Sequence, residues 1–429
     1  MGPARLEGAH DLVEVVAEVT PRIADVILDV APLEFAHDKL GIELERGLTD
    51  IPFRDEAAGT DVAVADLNLK TGRLDGSAPG PVSLSAHVTG RKPSLDVRAQ
   101  AAGALRFNLS RQEIGFEGFS AGAKGRVDQD SLAVEFAAPR VEITPAKAAG
   151  DEVKGTVQVK GPQRNASLVF RITGIQGSAD ALSLAAVALD IDAAAGGNSV
   201  KGKVSTPVKG NLKARTWELP QIAANLTIAG PAIPQKTVTL PLQASARADL
   251  ARQSAALELS TKFDESHIQA KLGATRFEPL AATFDVAIDR LDLDRYLPAE
   301  SKEAAKDDKV DLSALKGKTV NGKLAIGALT AKHVRMEKLQ AEIKLAGGRL
   351  DVAPHSMNLY GGTLSGAISA DANGNRIAVK ENAQNVGIGA LLKDAAQKDV
   401  LDGKGNVTID VQTAGGTVSA LKKIGRAHV

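Results

Sequence analysis

Phe284-Asp285-Val286-Ala287-Ile288-Asp289 alternates apolar and polar side chains, and this pattern decides the fold class. Successive side chains of a β-strand point to opposite faces, so the stretch predicts a strand with one apolar face and one wet face. The alternation returns in short bursts along most of the 429 residues, at Val157-Gln-Val159, Leu182-Ser-Leu184, Leu189-Asp-Ile191, Leu257-Glu-Leu259 and Val407-Thr-Ile409-Asp-Val411. We predict a mainly β protein with few short helices. Its long antiparallel meander curls into an apolar-lined groove or forms an elongated sandwich.

The composition limits the classes of partner. Hydrophobic residues make up 44% of the chain, which is enough for a core and argues against global disorder. Aromatic residues make up only 3%, so the stacking platforms that single-stranded nucleic acid prefers are scarce. Lys plus Arg is 52 and Asp plus Glu is 52, so no net charge attracts a polyphosphate. We therefore expect no nucleic-acid partner.

The chain contains no cysteine, which removes disulfides, thiolate catalysis and cysteine metal sites. The sequence contains no run of about 18 apolar residues, which is the pattern that predicts a membrane-spanning helix. Near the start, Asp11-Leu-Val-Glu14 carries acids where a signal peptide would be apolar. These observations leave two expectations, a cytosolic protein or a fragment whose export segment is missing.

Glycines recur between the alternating bursts and predict the turns of a meander of short strands. Examples are Gly103, Gly125, Gly347-Gly348 and Gly361-Gly362. Asn373-Gly374 is the strongest hairpin signal, because a type I′ turn needs positive φ at both central residues.

Three segments interrupt the alternation. Residues 12–30 fit either a helix or strands, and their assignment stays open. Residues 299–315 are charged and small, which predicts a linker with one short helix at Asp311–Leu315. Residues 389–400 predict a short amphipathic helix. We therefore divide the chain into a large β region, 1–298, the linker, and a smaller β region, 316–423.

The motifs of catalysis and cofactor binding are incomplete. Residues 317–319, Gly-Lys-Thr, lack the earlier glycine of a phosphate loop, and residues 371–375 lack the later ligands of a calcium loop. Asp292 and Asp294 share a strand face, but the arginines beside them predict a solvated, ion-paired face rather than a glycosidase pair. The seven histidines have no ligand spacing. We expect a protein that is not an enzyme and that holds no cofactor or metal.

Several longer stretches carry a family resemblance. They are Asp66-Leu-Asn-Leu-Lys-Thr-Gly-Arg-Leu74, Phe284-Asp-Val-Ala-Ile-Asp-Arg-Leu-Asp-Leu-Asp-Arg-Tyr-Leu-Pro298, Gly348-Arg-Leu-Asp-Val-Ala-Pro354, Leu359-Tyr-Gly-Gly-Thr-Leu-Ser-Gly366 and Leu401-Asp-Gly-Lys-Gly-Asn-Val-Thr-Ile-Asp-Val-Gln-Thr-Ala-Gly-Gly-Thr417. In this order, they resemble the AsmA family of bacterial envelope proteins. We interpret the motifs themselves as turn chemistry rather than as contact sites.

The resemblance implies a periplasmic protein anchored to the inner membrane of a Gram-negative bacterium, linked to outer-membrane biogenesis and related to the bridge-like lipid carriers. The implied cargo is phospholipid or another acyl lipid, and an apolar sheet face suits acyl chains. The residues expected to line the groove are Val157, Val159, Leu257, Leu259, Val286 and Ile288. The alternative is a β scaffold that modulates or targets outer-membrane protein assembly, in which the apolar face is only a core.

The ends of the chain suggest a fragment. The family normally begins with one membrane helix and continues further at its C-terminus, and this sequence departs from that pattern at both ends. Residues 424–429 can be encoded by ATCGGAAGAGCACACGTC, which resembles a common sequencing adapter. We therefore expect the anchor to lie outside this sequence and the last six residues to be an artefact.

Overall fold

The computed structural model describes residues 51–55, 60–92, 94–108, 110–231, 233, 236–296, 311–396, 402–416 and 427–428. The predictions for residues 12–30 and for the linker residues 299–310 lie outside this part. The described residues form 24 strands, one α-helix and two short 3-10 helices. The prediction of a mainly β protein built as a long antiparallel meander is confirmed.

The chain divides into two compact units, Met1–Thr239 and Leu240–Val429, called here the N-terminal unit and the C-terminal unit. The strands of the N-terminal unit are β1 (Ile51–Asp55), β2 (Thr60–Thr71), β3 (Gly80–Lys92), β4 (Ser94–Asn108), β5 (Glu113–Val127), β6 (Asp130–Ile143), β7 (Ala148–Gly150), β8 (Val153–Lys160), β9 (Arg164–Thr173), β10 (Gln176–Gly177), β11 (Leu182–Ala195), β12 (Asn198–Asn211) and β13 (Thr216–Ala229). From β1 to β6 each strand pairs antiparallel with the next.

One region of the N-terminal unit closes on itself. Strand β6 pairs with β8 through Ser131–Ala137 and with β7 through Val141–Ile143. Strand β7 also pairs with β10, and β8 also pairs with β9. Strands β9 and β10 both pair with β11, so the six strands β6 to β11 form a closed ring of pairings. Strands β12 and β13 continue the antiparallel meander from β11.

This ring encloses the main buried cluster of the N-terminal unit. Its buried members are Ala138, Val141, Ile143, Ala148, Val153, Ile175, Ala179 and Leu182. Phenylalanines pack at its side, with ring centroids 5.4 Å apart for Phe116 and Phe119 and 6.2 Å apart for Phe136 and Phe170. Aromatic pairs at these separations add to the stability that burial alone gives.

The strands of the C-terminal unit are β14 (Thr237–Asp249), β15 (Ser254–Phe263), β16 (Ser266–Arg276), β17 (Ala281–Asp292), β18 (Thr319–Ala331), β19 (Val334–Ala346), β20 (Arg349–Leu359), β21 (Gly362–Asp371), β22 (Arg376–Gly387), β23 (Lys404–Ala414) and β24 (Ala427–His428). Each pairs antiparallel with the next except β17 and β18, which pair in parallel. A parallel pair needs a crossover connection, and the predicted linker occupies that place in the chain.

The helices fall near their predicted places. A 3-10 helix covers Ser313–Leu315, inside the predicted helix at Asp311–Leu315. The α-helix, α1, spans Ile388–Ala396 between β22 and β23, which is one residue earlier than predicted at its start. Residues 397–400 of the prediction lie outside the described part. Among the described residues, no helix is long and apolar enough to cross a bilayer.

The turns predicted at Gly103 and Gly125 do not form. Gly103 and Gly125 lie inside β4 and β5, so the strands are longer than the alternating bursts indicated. Gly103 sits where the β4–β5 register shifts, and a Cβ there would lie 2.5 Å from the Cα of Phe119. The glycine permits a bulge rather than a reversal of the chain. By contrast, Gly347 and Gly348 form a two-residue turn, with φ of 61° and 80°.

The hairpin predicted at Asn373-Gly374 forms, but its turn type was wrong. Asp371 pairs with Arg376, which leaves four loop residues instead of two. The positive φ lies at Asn375, at 46°, and not at Gly374. The carboxylate of Asp371 accepts the N–H of Asn373 at 2.8 Å, an Asx turn that stabilises the wider loop.

Candidate functional site

The candidate site is the apolar face of the sheet, and β17 shows how it is built. Phe284, Val286 and Ile288 are half-buried, whereas Asp285 and Ala287 between them are exposed. Residues directly opposite each other on paired strands share a face. The pairing register therefore extends the apolar side of β17 to its neighbours, strand by strand.

Two rows of such partners cross the ten strands from β14 to β23. Because neighbouring strands lie about 4.8 Å apart, each row is roughly 40 Å long. The first row is Ala246, Leu257, Leu272, Phe284, Gly322, Ile343, Val352, Ile368, Val379 and Val411. The second row is Ala244, Leu259, Ala270, Val286, Leu324, Ala341, His355, Gly366, Glu381 and Ile409.

Four of the six residues predicted to line a groove lie together on this face. Leu257 belongs to the first row, Leu259 and Val286 belong to the second, and Ile288 lies beside them, opposite Ile268 and Ile326. All four are half-buried. The groove-lining role assigned to them from the sequence stays a prediction.

Val157 and Val159 lie on the apolar face of the N-terminal unit. Val159 belongs to a row that crosses ten strands, made of Val64, Val88, Val97, Gly125, Leu132, Val159, Ala166, Ala193, Val200 and Ile228. Val157 lies in the next row, between Val134 and Leu168. Both side chains are half-buried, and each unit thus has an apolar face of its own.

The opposite face of each unit carries the charge. Lys124 lies 3.0 Å from Glu135, Lys380 lies 3.3 Å from Asp410, and all four side chains are well exposed. Exposed pairs of this kind contribute little to stability, so their main effect is to keep this face in water. The sheet is two-sided in its chemistry, apolar on one side and zwitterionic on the other.

The apolar face of the C-terminal unit is not sealed. Leu272, Ile368, Val407 and Ile409 lie on it and remain between 38% and 41% exposed. Residues between two tightly packed sheets would be almost fully buried. Among the described residues, the face is therefore open to whatever apolar group can reach it.

Glycines let aromatic rings lie flat on the apolar faces. Gly322 pairs with Phe284, Gly155 pairs with Phe170, and Gly210 pairs with Trp217. A Cβ added at any of these glycines would come within 2.5 Å of its partner's ring. The ring covers backbone that glycine leaves bare, and it does not project away from the sheet. Large aromatic side chains are accommodated in this way without obstructing the face.

One polar pair interrupts the second row. His355 and Glu381 have side chains only 6% and 11% exposed, and Nε2 of His355 lies 2.9 Å from Oε1 of Glu381. Nδ1 of the same ring lies 3.3 Å from the carbonyl oxygen of Val352. Gly366 stands between them in the row, and its missing side chain leaves room for Glu381 to reach across. The sequence analysis missed this pair.

The family-like stretch at the end of β17 contacts two neighbouring hairpins, β15–β16 and β18–β19. Tyr296 donates its hydroxyl hydrogen to Asp264 at 3.0 Å, and Arg295 lies 3.0 Å from Asp264. The ring of Tyr296 stacks on Phe263 with centroids 5.7 Å apart. These contacts tie the end of β17 to the β15–β16 turn.

Asp294 contacts the turn of the β18–β19 hairpin. Its carboxylate accepts the N–H groups of Lys332 and His333 at 2.5 and 2.6 Å. Both residues have positive φ, 49° and 65°, which is costly for non-glycine residues, and Asp294 offsets that cost. Asp292 accepts the N–H of Asp294 at 3.1 Å and caps the 3-10 helix Leu293–Arg295. The prediction that Asp292 and Asp294 share a strand face is wrong, because β17 ends at Asp292 and Asp294 lies in the 3-10 helix. The two carboxylates accept different backbone N–H groups.

We expect the Tyr296 contacts to make stability depend on alkaline pH. Burial, followed by the hydrogen bond to Asp264, raises the pKa of Tyr296 from 10.0 to about 12. Between pH 10 and pH 12 the unfolded chain loses the phenol proton and the folded chain keeps it, so the free energy of unfolding falls as pH rises. The loss should be on the order of 2 kcal/mol, and it should be complete only above the folded pKa.

Denaturant unfolding across that pH range measures this effect, with Tyr296→Phe as the matched control. The phenylalanine keeps the stacking on Phe263 and has no proton to lose. Equal pH dependence in the two proteins would contradict the assignment.

A sequence model of the AsmA family matches residues 29–424. The comparison with curated proteins found no match, and neither did the comparison with solved structures.

Proposed function

The chain belongs to the AsmA family, and on that premise we propose that it is a non-enzymatic protein of envelope biogenesis. In this proposal its apolar sheet faces carry the acyl chains of phospholipid between the inner and outer membranes. The protein works in the periplasm of a Gram-negative bacterium and is held at the inner membrane by a membrane anchor. Tethering a carrier at one membrane raises its local concentration there to roughly millimolar.

The observation that carries the proposal is the open apolar face of the C-terminal unit. Its rows are continuous over ten strands, and its large side chains stay partly exposed. A contiguous apolar surface exposed to water is costly, and such surfaces mark sites of ligand or membrane contact. Aliphatic side chains with few polar anchors suit acyl chains, which need apolar contact and little hydrogen bonding.

A charge placed on this face should displace lipid. In Ile368→Glu with Val407→Glu, two carboxylates lie where acyl chains would pack. We expect co-purifying phospholipid, measured by mass spectrometry, to fall on the order of tenfold. Both residues are more than a third exposed, so the substitutions are compatible with folding.

The matched control is Ser365→Glu with Thr408→Glu. These exposed residues lie on the same two strands, β21 and β23, on the opposite face. The control should retain wild-type lipid content. Equal lipid in both double variants, or no lipid in the wild type, would remove the support for lipid carriage. Either outcome would favour the alternative function, a scaffold that modulates or targets outer-membrane protein assembly.

A further inference from the structure

One edge of the C-terminal unit, called here the tip edge, presents three chain segments side by side. They are the β14–β15 turn, 250–253, the β16–β17 turn, 277–280, and residues 316–318 before β18. The register places them level, because Asp249 pairs with Ser254, Ala255 with Ala274, and Ala281 with both Arg276 and Thr319. Thr319 also donates its N–H to the carbonyl of Leu280 at 2.8 Å.

Large apolar side chains stand at the ends of these turns. Leu250, Phe277 and Leu280 are between 36% and 50% exposed. The two turns that carry them are two strands apart, or roughly 10 Å. At the opposite ends of the same strands, the described turns hold Asp264-Glu265 and Lys332-His333 and show no large hydrophobic side chain this exposed. Among the described turns of this unit, exposed large apolar side chains are thus confined to one edge.

Cations surround these side chains. Arg252, Arg276, Lys316 and Lys318 are all exposed along the same segments. Two carboxylates lie among them, Asp249, which is 3.7 Å from Arg252, and Glu278. The carboxylate of Asp311 also interacts with Lys316, so four cations against three carboxylates leave a local excess of one positive charge.

We propose that the tip edge docks onto the surface of an anionic lipid bilayer. Leu250, Phe277 and Leu280 enter the boundary between headgroups and acyl chains, and the surrounding cations contact lipid phosphates. Binding of this type grows with buried apolar area and with attraction to anionic lipid. Separate side chains at protruding turns suit the soft boundary of a bilayer better than a protein partner, which offers a close-packed surface. The inference goes beyond lipid carriage, since it concerns the edge of the sheet and not its face.

Vesicle flotation of the complete chain tests the proposal. The probes are vesicles of phosphatidylcholine mixed with phosphatidylglycerol and vesicles of phosphatidylcholine alone. Replacing Leu250, Phe277 and Leu280 by serine should reduce binding to the mixed vesicles by about tenfold. Lys316→Gln with Lys318→Gln should reduce it by roughly 25-fold, because each cation near an anionic surface contributes roughly fivefold. The charge-matched control, Lys154→Gln with Lys160→Gln in β8, should bind like the wild type.

A fluorescent label locates the contact. Because the chain has no cysteine, Ala251→Cys provides a single attachment point at the tip edge, and Gln384→Cys provides one near the opposite edge. A polarity-sensitive label should shift to the blue on mixed vesicles only at position 251. Thermal unfolding verifies that each variant is folded. Equal shifts at both positions, no shift at position 251, or wild-type flotation of the serine variant would overturn the proposal, and the lipid content of the apolar face would be unaffected by that result.

Discussion

Replacing His355 by leucine is expected to lower the free energy of unfolding by about 3–5 kcal/mol, because the buried carboxylate of Glu381 is left without its hydrogen-bond partner. The imidazole is the partner of Glu381, and both side chains are almost fully buried in an otherwise apolar row. Without it, the carboxylate of Glu381 keeps the desolvation cost and loses the interaction that offset it. Urea unfolding of the wild type and the variant measures the difference.

The double variant, His355→Leu with Glu381→Met, is the control that separates charge from volume. It removes both polar groups and fills the space with apolar groups, so its stability should lie near that of the wild type or above it. The single and double variants complete a mutant cycle with Glu381→Met, and the coupling energy should be several times the value for an exposed pair. A loss below about 1 kcal/mol in His355→Leu would show that the pair is solvated and that the site is not apolar.

The alternation in the sequence was sufficient to predict the two-sided sheet, and the reason is local. A period of two leaves each strand one choice of face, and the residues predicted to share a face do so in β15 and β17, where Leu257, Leu259 and Val286 fall into adjacent rows. Register follows from the same pattern, since a slip of one residue would expose the entire apolar set.

The His355 pair could not be found in the same way, because it depends on a change of phase. In β20 the apolar positions are Leu350 and Val352, and then Met357 and Leu359. The β20–β21 register shifts between Val352 and His355, and the extra residue turns His355 onto the apolar face. The shift from even to odd positions is visible in the sequence, and a strand-by-strand count of alternation would have detected it. Its partner Glu381 is two strands away, which no local pattern shows.

The contacts of the family-like motifs were also beyond the sequence. Their interpretation as turn chemistry identified the right class of role, but the turns they stabilise belong to other hairpins. Asp294 is 38 residues from Lys332, and Tyr296 is 32 residues from Asp264. Such pairings require the strand order and the register, and the parallel pairing of β17 with β18 brings the Lys332-His333 turn within reach of Asp294.

The end of β20 offers a second large effect. Tyr360 has φ of 46° and forms a two-residue turn with Gly361. Its hydroxyl group donates to Asp394 of α1 at 2.6 Å and accepts the N–H of Arg335 at 3.1 Å. The guanidinium of Arg335 lies 5.9 Å from the ring centroid and 3.0 Å from Asp394. One aromatic side chain therefore connects the start of β19, the β20–β21 turn and α1.

Tyr360→Ala is expected to cost about 3–5 kcal/mol of unfolding free energy, because the ring and its hydrogen bonds are lost together. Tyr360→Phe keeps the ring and should cost only about 1.5–3 kcal/mol, the value of a hydrogen bond to a charged partner. Hydrogen exchange should become faster in α1 for both variants, and more so for alanine, since Asp394 loses its anchor. Lipid content should not change, because Tyr360 lies in a turn and not in the apolar rows. If Tyr360→Ala kept wild-type stability but lost lipid, Tyr360 would be a residue that contacts lipid and not one that stabilises α1.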